Sequence, residues 1–457
     1  MSNTGDPSSF GHSTARERWP RILQKVIDDL AFAANIDFSG VEEVPHEKQD
    51  HTTRHMLRSI HHIREAIIHN EELVLMREDM GEDIEDYNAE LYSFDDAAWL
   101  KCPWLYAECY MYRYLHTIFM KSQDPRWLKY DAFWTSKREA IISSQKGVLE
   151  LLNHFNSVLS SLTHNDAAII TDHDTQHALF EEMVQISLWG NATDLSLLQN
   201  VSTSQLSSLQ GRRAREASAA NVLVDHTSTV FSLLSSLKCR DQAGEIHIIL
   251  DNSGFELLTD LVFASFLLAA GYAAKVVLHG KAMPWFVSDV NAHDLHDLVT
   301  GLQHNSYYAD ISPSDESACR AAGNHFASLQ EAGTLVFEAH PFWTTAHPFG
   351  RMKVVAPALY KRLEKAELVI YKGDLNYRKL TYDALWPHTT AFEEAIGPLK
   401  TGTRTLALRT AKADVAVGVP REKLEGMEEG WTRTGKWGMV QFWDGKKVEN
   451  EAGVKKL

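Results

Sequence analysis

The chain has little cysteine. Its 457 residues include four, Cys102, Cys109, Cys239 and Cys319, and the C-x₆-C spacing of the first two fits no zinc or redox motif. Hydrophobic residues make up 44% of the chain, enough for a large packed core without disulfides. We therefore expect a reduced, intracellular protein located in the cytoplasm.

Long hydrophobic runs are also missing. The first twenty residues, MSNTGDPSSFGHSTARERWP, lack the apolar segment of a signal peptide. The longest apolar stretch, Leu261 to Ala274, contains Ser265 and Gly271 and falls short of the roughly 20 residues that a membrane-spanning helix needs. We interpret it as a buried helix and expect no membrane partner.

Positive charge is in deficit. The chain carries 45 Lys and Arg residues against 61 Asp and Glu residues, a formal net charge of −16. Such a protein repels nucleic acids and acidic membranes unless a local basic patch intervenes, and the sequence contains no patch of the necessary size. We therefore expect no nucleic-acid partner.

The first half of the chain has the apolar spacing of helices. Pro20 opens one such segment, as a proline in the first helical turn often does. The pattern predicts a loose segment over residues 1–18 and a helical domain over residues 19–240, without strands. Further predicted helices are Trp104 to Lys121, Lys146 to Leu162, Gln176 to Leu188 and Arg212 to Leu237.

After Ala243, short β-rich runs alternate with helical ones. The predicted strands are EIHIILD, AKVVLHG, TLVFEAH, ELVIYKG, RTLALRT and WGMVQFWDG. Strands separated by helices predict an α/β fold, with a mostly parallel sheet, flanking helices and right-handed crossovers, over residues 241–447. Residues 448–457 read as a tail. In such sheets, ligands bind at the carboxyl ends of the strands.

One predicted strand ends in a cluster of oxygen donors, in ILDNSGFE. Asp251 and Asn252 offer the hard oxygen ligands that magnesium or manganese prefers, and Asp289 in FVSDVNAHD could supply a further carboxylate. Three ligands would leave positions for water and substrate, as in metal-assisted hydrolysis. The alternative is that Asp251 or Asn252 only caps the following helix. The nearby histidines read as core or solvated residues; they are His279, His293 and His296.

Two further polar clusters follow strands. YKGDLNYRKL contains Gly373, which permits close backbone approach, and Asp374, Asn376 and Arg378, which could bind a polyhydroxyl, anionic ligand. RTAK ends in Lys412, a point charge suited to phosphate. Each basic residue taken alone is more often a solvated surface residue, but three polar clusters at predicted strand ends together favour a site.

These segments resemble the signature motifs of the damage-control phosphatase family. The similarity is carried by DNSGFELLTDL, FVSDVNAHD, KGDLNYRKL and RTAK, and it extends into the helical half through CPWLYAECYMYR, LWGNATDLS and HPFWT. The R-T-x-K motif is similar to that of the eukaryotic branch of sugar-phosphate phosphatases.

The resemblance implies a metal-dependent phosphatase that hydrolyses small sugar-phosphate monoesters, such as fructose 1-phosphate and fructose 6-phosphate, in metabolite damage control. It implies an α/β domain preceded by a helical bundle, and a manganese, cobalt, nickel or magnesium ion. Asp251, Asn252 and Asp289 match the catalytic metal ligands. The positions that match substrate contacts are Asp251, Asn252, Asp374, Leu375, Asn376, Tyr377, Arg378 and Lys412.

The same resemblance leaves an alternative activity open. A similar protein has been assigned S-adenosylmethionine-dependent carboxyl methyltransferase activity on protein glutamates. Asp-Asn-Ser-Gly stands where a nucleotide-binding methyltransferase normally has a glycine-rich loop, which favours the phosphatase. A non-enzymatic helical scaffold would leave the three polar clusters without a role.

Overall fold

A computed structural model of the chain describes residues 2–36, 51–77, 81–163, 172–190 and 220–447. Eight α-helices precede the first strand in these ranges: α1 Phe10–Ser13, α2 Trp19–Ala33, α3 His51–Ile68, α4 Ile84–Tyr92, α5 Trp104–Lys121, α6 Trp134–Ser143, α7 Gln145–Thr163 and α8 His173–Trp189. A π-helical turn, Thr14–Arg18, joins α1 to α2. None of the described helices is both long and apolar enough to cross a bilayer.

Apolar periodicity located these helices well. Helix α5 has the predicted bounds, and Pro20 lies in the first turn of α2, where its missing N–H is not needed. Leu23, Val26 and Leu30 of α2 are fully or almost fully buried on one face of that helix. Burial of this stripe, rather than helix propensity alone, stabilises the helix.

Seven strands form one sheet, in the order β1-β7-β6-β5-β2-β3-β4. They are β1 Val222–Asp225, β2 Glu245–Ile249, β3 Lys275–Gly280, β4 Leu335–Ala339, β5 Leu368–Lys372, β6 Arg404–Thr410 and β7 Gly438–Asp444. Every neighbouring pair is parallel except β6 and β7. The predicted fold class, a mostly parallel α/β sheet preceded by a helical region, is confirmed.

Further helices lie between and beside these strands: α9 Thr227–Cys239, α10 Phe255–Ala269, α11 Ala292–His304, α12 Pro313–Glu331, α13 Met352–Val355, α14 Pro357–Lys365, α15 Gly373–Leu380, α16 Phe392–Ala395 and α17 Arg421–Leu424. Short 3₁₀ turns are Pro341–Thr344, Phe349–Arg351, Gly397–Lys400 and Trp431–Arg433. Helix α10 is buried along almost its whole length, as expected for the longest apolar stretch, but it ends at Ala269, and residues 270–274 of that stretch form a turn before β3.

The prediction of a continuous helix from Arg212 to Leu237 was wrong. Val222–Asp225 is an edge strand paired with β7, and the helix begins only at Thr227. The sequence VLVD is short and apolar, so periodicity could not separate it from the adjacent helix, whereas β-branched valines favour the strand. Residues 212–219 lie outside the described ranges, as do residues 191–196 of the LWGNATDLS segment and the predicted tail.

The amino-terminal helices α2 to α5 pack against the edge of the sheet at which the parallel strands end. Their hydrophobic core also includes Met283, Trp285, Leu375 and Ala413, which follow strands β3, β5 and β6. Helices α7 and α8 instead join the core that covers one face of the sheet. The proposed domain boundary at residue 240 therefore stays a prediction, and the junction between the two parts lies at the carboxyl ends of the strands.

Residues 2–18, expected to be loose, pack against the protein body. Ser2 N donates to Asp383 O at 3.0 Å, and Thr4 N and Oγ1 both donate to Cys102 O, at 2.9 and 3.0 Å. The Phe10 N–H donates to Asp414 Oδ2 at 3.0 Å. The segment is polar in composition but satisfies its hydrogen bonds with distant groups, which sequence periodicity cannot anticipate.

Candidate active site

The strand β2 to helix α10 junction carries Asp251 and Asn252. The N-cap of α10 is Gly254, with φ +69°, and no side chain caps the helix. A positive φ is readily adopted only by glycine, so Gly254 makes this sharp turn possible. Asp251 and Asn252 are thus not helix caps, and both side chains line a cleft.

The loop after β3 runs beside this junction. Val290 N donates to Asp251 O at 2.9 Å and Ser253 N donates to Ser288 O at 2.7 Å, so Asn252 and Asp289 form an isolated antiparallel bridge. This pairing brings Asp289 to the same cleft as Asp251 and Asn252.

The loop that carries Asp289 has a strained backbone and is held in place by contacts with the amino-terminal helices. Phe286 and Val287 have φ of +45° and +70°, a conformation that is costly for a β-branched valine. The Phe286 ring stacks on Tyr112 with centroids 4.8 Å apart. Lys137 Nζ donates to the Asp289 carbonyl at 3.0 Å. Packing from the helical part therefore fixes the loop.

The two carboxylates are held in an environment that disfavours their charge. Burial, then the negative charges of Glu256 and Asp289, raises the pKa of Asp251 well above its ordinary value. Burial also raises the pKa of Asp289, opposed by Lys281, whose Nζ lies 3.0 Å from Asp289 Oδ2. A cation in the cleft would offset this electrostatic cost.

The donor set fits a hard divalent cation. Asp289 Oδ2 is buried and forms an ion pair with Lys281 Nζ at 3.0 Å, without a well-aligned hydrogen bond among the described residues. Asn252 Oδ1 accepts from the Ser288 hydroxyl and presents an amide oxygen beside the two carboxylates. No group of three or more His, Cys, Asp or Glu side chains in the described part of the chain is arranged for a metal, so the candidate site comprises two carboxylates and one amide.

Asp374 links the second and third polar clusters. Its Oδ1 accepts from Arg409 Nε at 2.8 Å and from the backbone N of Lys412 at 3.1 Å. Arg409 is fully buried, and its guanidinium lies 4.2 Å from the centroid of the Tyr377 ring. This arrangement orders the RTAK turn and holds Lys412 at the cleft wall. The role of Arg409 was not predicted, although it lies inside the RTAK motif.

Arg378 is engaged with protein acids. It makes two hydrogen bonds to Asp383, at 3.0 and 2.9 Å, and one to Glu108 at 3.1 Å. Its guanidinium lies 3.6 Å from the centroid of the Trp104 ring. Arg378 lines the cleft, yet these contacts favour a structural role for its guanidinium.

The other residues predicted to contact the substrate are Leu375, Asn376 and Tyr377, and of these only Leu375 lines the cleft. Asn376 is buried and donates to three backbone carbonyls, those of Ile249, Leu250 and Lys372. The Tyr377 hydroxyl donates to Gln441 Oε1 at 2.7 Å. Leu375 belongs to the helical core and also reaches the cleft. Asn376 and Tyr377 therefore support the cleft from behind.

The cleft has a volume of about 440 Å³. The predicted residues that line it are Asp251, Asn252, Asp289, Asp374, Leu375, Arg378 and Lys412. Sequence reasoning missed other lining residues, among them Phe10 and Arg18 from the amino-terminal segment and Glu108 from α5. A larger cavity of about 760 Å³, lined in part by Met56 and Tyr114, contains none of the predicted residues.

The three histidines near these motifs in the sequence, His279, His293 and His296, do not line the cleft. His279 is buried, and its Nε2 lies 2.8 Å from Nδ1 of His247. His293 and His296 are exposed on α11, where His293 packs against Trp134. Their positions agree with the interpretation as core or solvated residues.

A parallel sheet with acidic and basic side chains gathered at the carboxyl ends of its strands has the architecture of an α/β enzyme. A family model described as the damage-control phosphatase ARMT1-like domain matches residues 14–427. The chain belongs to the damage-control phosphatase family.

Individual relatives are similar along nearly their whole length. Damage-control phosphatase ARMT1 of Rattus norvegicus is 36% identical over 452 residues, which cover 96% of this chain and 97% of the relative. That of Homo sapiens is 34% identical over 447 residues, again 96% and 97% of the two chains. A crystal structure of a DUF89 family protein from Pyrococcus horikoshii aligns with a TM-score of 0.42 and 14% identity, over 94% of this chain and 96% of that chain.

Proposed function

We propose that this protein is a metal-dependent phosphatase that hydrolyses small sugar-phosphate monoesters, such as fructose 1-phosphate and fructose 6-phosphate, in the repair of metabolite damage. Membership of a phosphatase family supports the reaction class. The observation that carries the proposal is the cleft that Asp251, Asn252 and Asp289 line together with Lys412.

Phosphate monoesters hydrolyse extremely slowly unaided, and charge on the phosphoryl oxygens is the main obstacle that an enzyme must relieve. Asp251, Asn252 and Asp289 would hold a manganese, cobalt, nickel or magnesium ion. When bound, such an ion supplies Lewis-acid charge stabilisation.

Side chains of the protein also contribute to the stabilisation of charge in the cleft. Lys412 provides a cation for the phosphoryl oxygens, and Asp374 fixes its backbone by accepting the Lys412 N–H. Lys281 is buried and balances part of the charge on Asp289. Phe10, Trp104 and Phe286 line the cleft and present apolar surface beside these charged groups.

The methyltransferase alternative has weaker support. The loop after β2 contains one glycine, Gly254, and is tied through Ser253 to the loop after β3, whereas a nucleotide-binding methyltransferase normally has a glycine-rich loop there. The named relatives are phosphatases.

The deciding experiment compares the two activities in one preparation. Purified protein with manganese and fructose 1-phosphate should release inorganic phosphate, and a chelator should stop the release. With S-adenosylmethionine and a glutamate-rich protein it should transfer no methyl group above background. Asp251→Ala should abolish phosphate release and manganese binding while leaving the fold intact. Methyl transfer without phosphate release would overturn the proposal.

A further inference from the structure

Glu256 lies directly behind Asn252 in the first turn of α10. It is 2% exposed, and its Oε2 accepts a hydrogen bond from Asn252 Nδ2 at 2.8 Å. The backbone N of Asn252 donates to the same oxygen at 3.4 Å. Asn252 Nδ2 also donates to Asp251 Oδ2 at 2.8 Å. The amide nitrogen of Asn252 is therefore enclosed by two carboxylates.

The second oxygen of Glu256 is held by a buried cation. Glu256 Oε1 lies 3.3 Å from Nζ of Lys372, and Asp260 Oδ1 lies 2.8 Å from the same nitrogen. Lys372 and Asp260 are each 1% exposed. Lys372 also donates to the carbonyl of Ser187 in α8. The network thus anchors Glu256 in one orientation, with one oxygen toward Lys372 and the other toward Asn252.

This network decides which atom Asn252 offers to the cleft. An ionised carboxylate only accepts hydrogen bonds, and an amide nitrogen only donates them. With its nitrogen directed at Glu256 and Asp251, Asn252 must turn its oxygen toward Ser288 and the cleft. The reverse orientation would place an amide oxygen against two carboxylates and an N–H₂ group where a cation would bind.

We propose that Glu256 is a positioning residue that sets the amide of Asn252 with its oxygen toward a bound divalent cation, and that Lys372 holds Glu256 in place. The inference rests on the proposed metal site. Loss of a partner that orients a metal ligand typically lowers metal affinity about 10- to 100-fold.

Glu256→Gln tests the inference with almost no change of shape. Lys372 requires an acceptor, so the introduced glutamine should turn its oxygen toward Lys372 and its N–H₂ toward Asn252. Two donors would then face each other, and the Asn252 amide should rotate its nitrogen into the cleft. We expect manganese affinity, measured by calorimetry on the substrate-free protein, to fall about 10- to 100-fold, while far-ultraviolet circular dichroism stays unchanged.

A second variant, Asn252→Asp, distinguishes a positioning role of Glu256 from general structural support by Glu256. In Asn252→Asp, the side chain at position 252 has only acceptors, so it can accept from the N–H₂ of a glutamine at position 256 while still presenting an oxygen to the cleft. Glu256→Gln should therefore lower manganese affinity when position 252 is asparagine and leave it unchanged or higher when that position is aspartate. Asp83→Asn is the matched control, because it removes one carboxylate charge from a buried ion pair, that with Arg113, away from the cleft, and it should preserve manganese affinity.

Equal losses from Glu256→Gln in both backgrounds, or no loss in either, would overturn the inference while leaving the phosphatase proposal standing. A wild-type protein that binds none of manganese, cobalt, nickel and magnesium would overturn both. Unfolding midpoints measured by circular dichroism in each variant identify any loss that comes from unfolding.

Discussion

Gly373 lies so close to Asp251 that a Cβ atom at residue 373 would come within 1.9 Å of Asp251 Oδ2. Its φ is +78°, which a residue with a side chain adopts only with strain. The missing side chain thus lets the turn that carries Asp374 approach the carboxylate of Asp251.

We predict that Gly373→Ala abolishes manganese binding and phosphate release because the added methyl group displaces Asp251. Gly333→Ala is the matched control, since Gly333 has φ +69° and its Cβ would meet nothing within 4 Å. Both variants should lose about 1 kcal/mol of unfolding free energy from backbone strain, and Gly373→Ala should lose more because of the clash with Asp251; urea unfolding measures both losses, but only Gly373→Ala should lose activity. Full activity in Gly373→Ala would show that the close contact has no functional role.

Lys412→Ala should raise KM and lower kcat, because a phosphate-binding cation acts in both the ground state and the transition state. Loss of one charge-stabilising donor suggests a fall in kcat/KM on the order of 10². Lys423→Ala, which removes an exposed lysine, should leave the kinetics unchanged. Steady-state assays with fructose 1-phosphate distinguish the two, and an unchanged kcat/KM in Lys412→Ala would make Lys412 a surface lysine.

Arg378→Ala should mainly destabilise the protein. The substitution leaves Asp383 and Glu108 buried without their cation, and breaking a buried ion pair in this way costs about 3–5 kcal/mol. Urea unfolding should detect the loss. Unchanged stability together with a large fall in kcat/KM would instead assign Arg378 to substrate binding.

Arg18 is exposed at the cleft and has no ion pair among the described residues. We predict that Arg18→Ala weakens binding of fructose 1,6-bisphosphate more than that of fructose 1-phosphate, since the extra phosphate can reach a second cation. The effect should be at most about fivefold in KM, because an exposed charge pair contributes up to about 1 kcal/mol. Arg16→Ala, at an exposed position of the same π-helical turn, should change neither KM. Equal effects on the two substrates would exclude this role.

The buried pair of His247 and His279 should make the folded protein less stable at acidic pH. Burial lowers the pKa of both imidazoles, for His279 well below its ordinary value. The unfolded chain therefore binds protons that the folded protein does not, and stability is lost as the pH falls below about 6.5. His279→Gln should reduce this loss by up to about 1.4 kcal/mol per pH unit, measured by urea unfolding at pH 7 and pH 5. Equal losses in both proteins would contradict the assignment.

Most of the fold followed from local patterns. Strands β2 to β7 were predicted because each is a short apolar run bounded by polar or glycine residues, and α5 because its apolar spacing is long and regular. Strand β1 was missed because Val222 to Val224 stand directly before a helix, and only pairing with β7 reveals the strand.

The residues that form the cleft were only partly predictable from the sequence. Asp251, Asn252, Asp289 and Lys412 follow strands, so the rule for parallel sheets placed them at one edge. Glu108 was not predictable, because it meets Arg378 across 270 residues of sequence. Asn376 and Tyr377 matched a motif, but their side chains turn toward the interior, and sequence spacing does not specify that direction.

The hydrogen bond between Phe10 and Asp414 joins residues 404 positions apart, and Arg433 donates to the carbonyl of Ser8 across a similar distance. Both contacts help to build one wall of the cleft. During synthesis on the ribosome this wall therefore cannot close until residues near 435 have emerged, long after Asp251 and Asp289 have been translated. A chain that stops before Arg433 could fold much of the sheet and still lack this wall, so catalytic activity would indicate that synthesis has passed that residue.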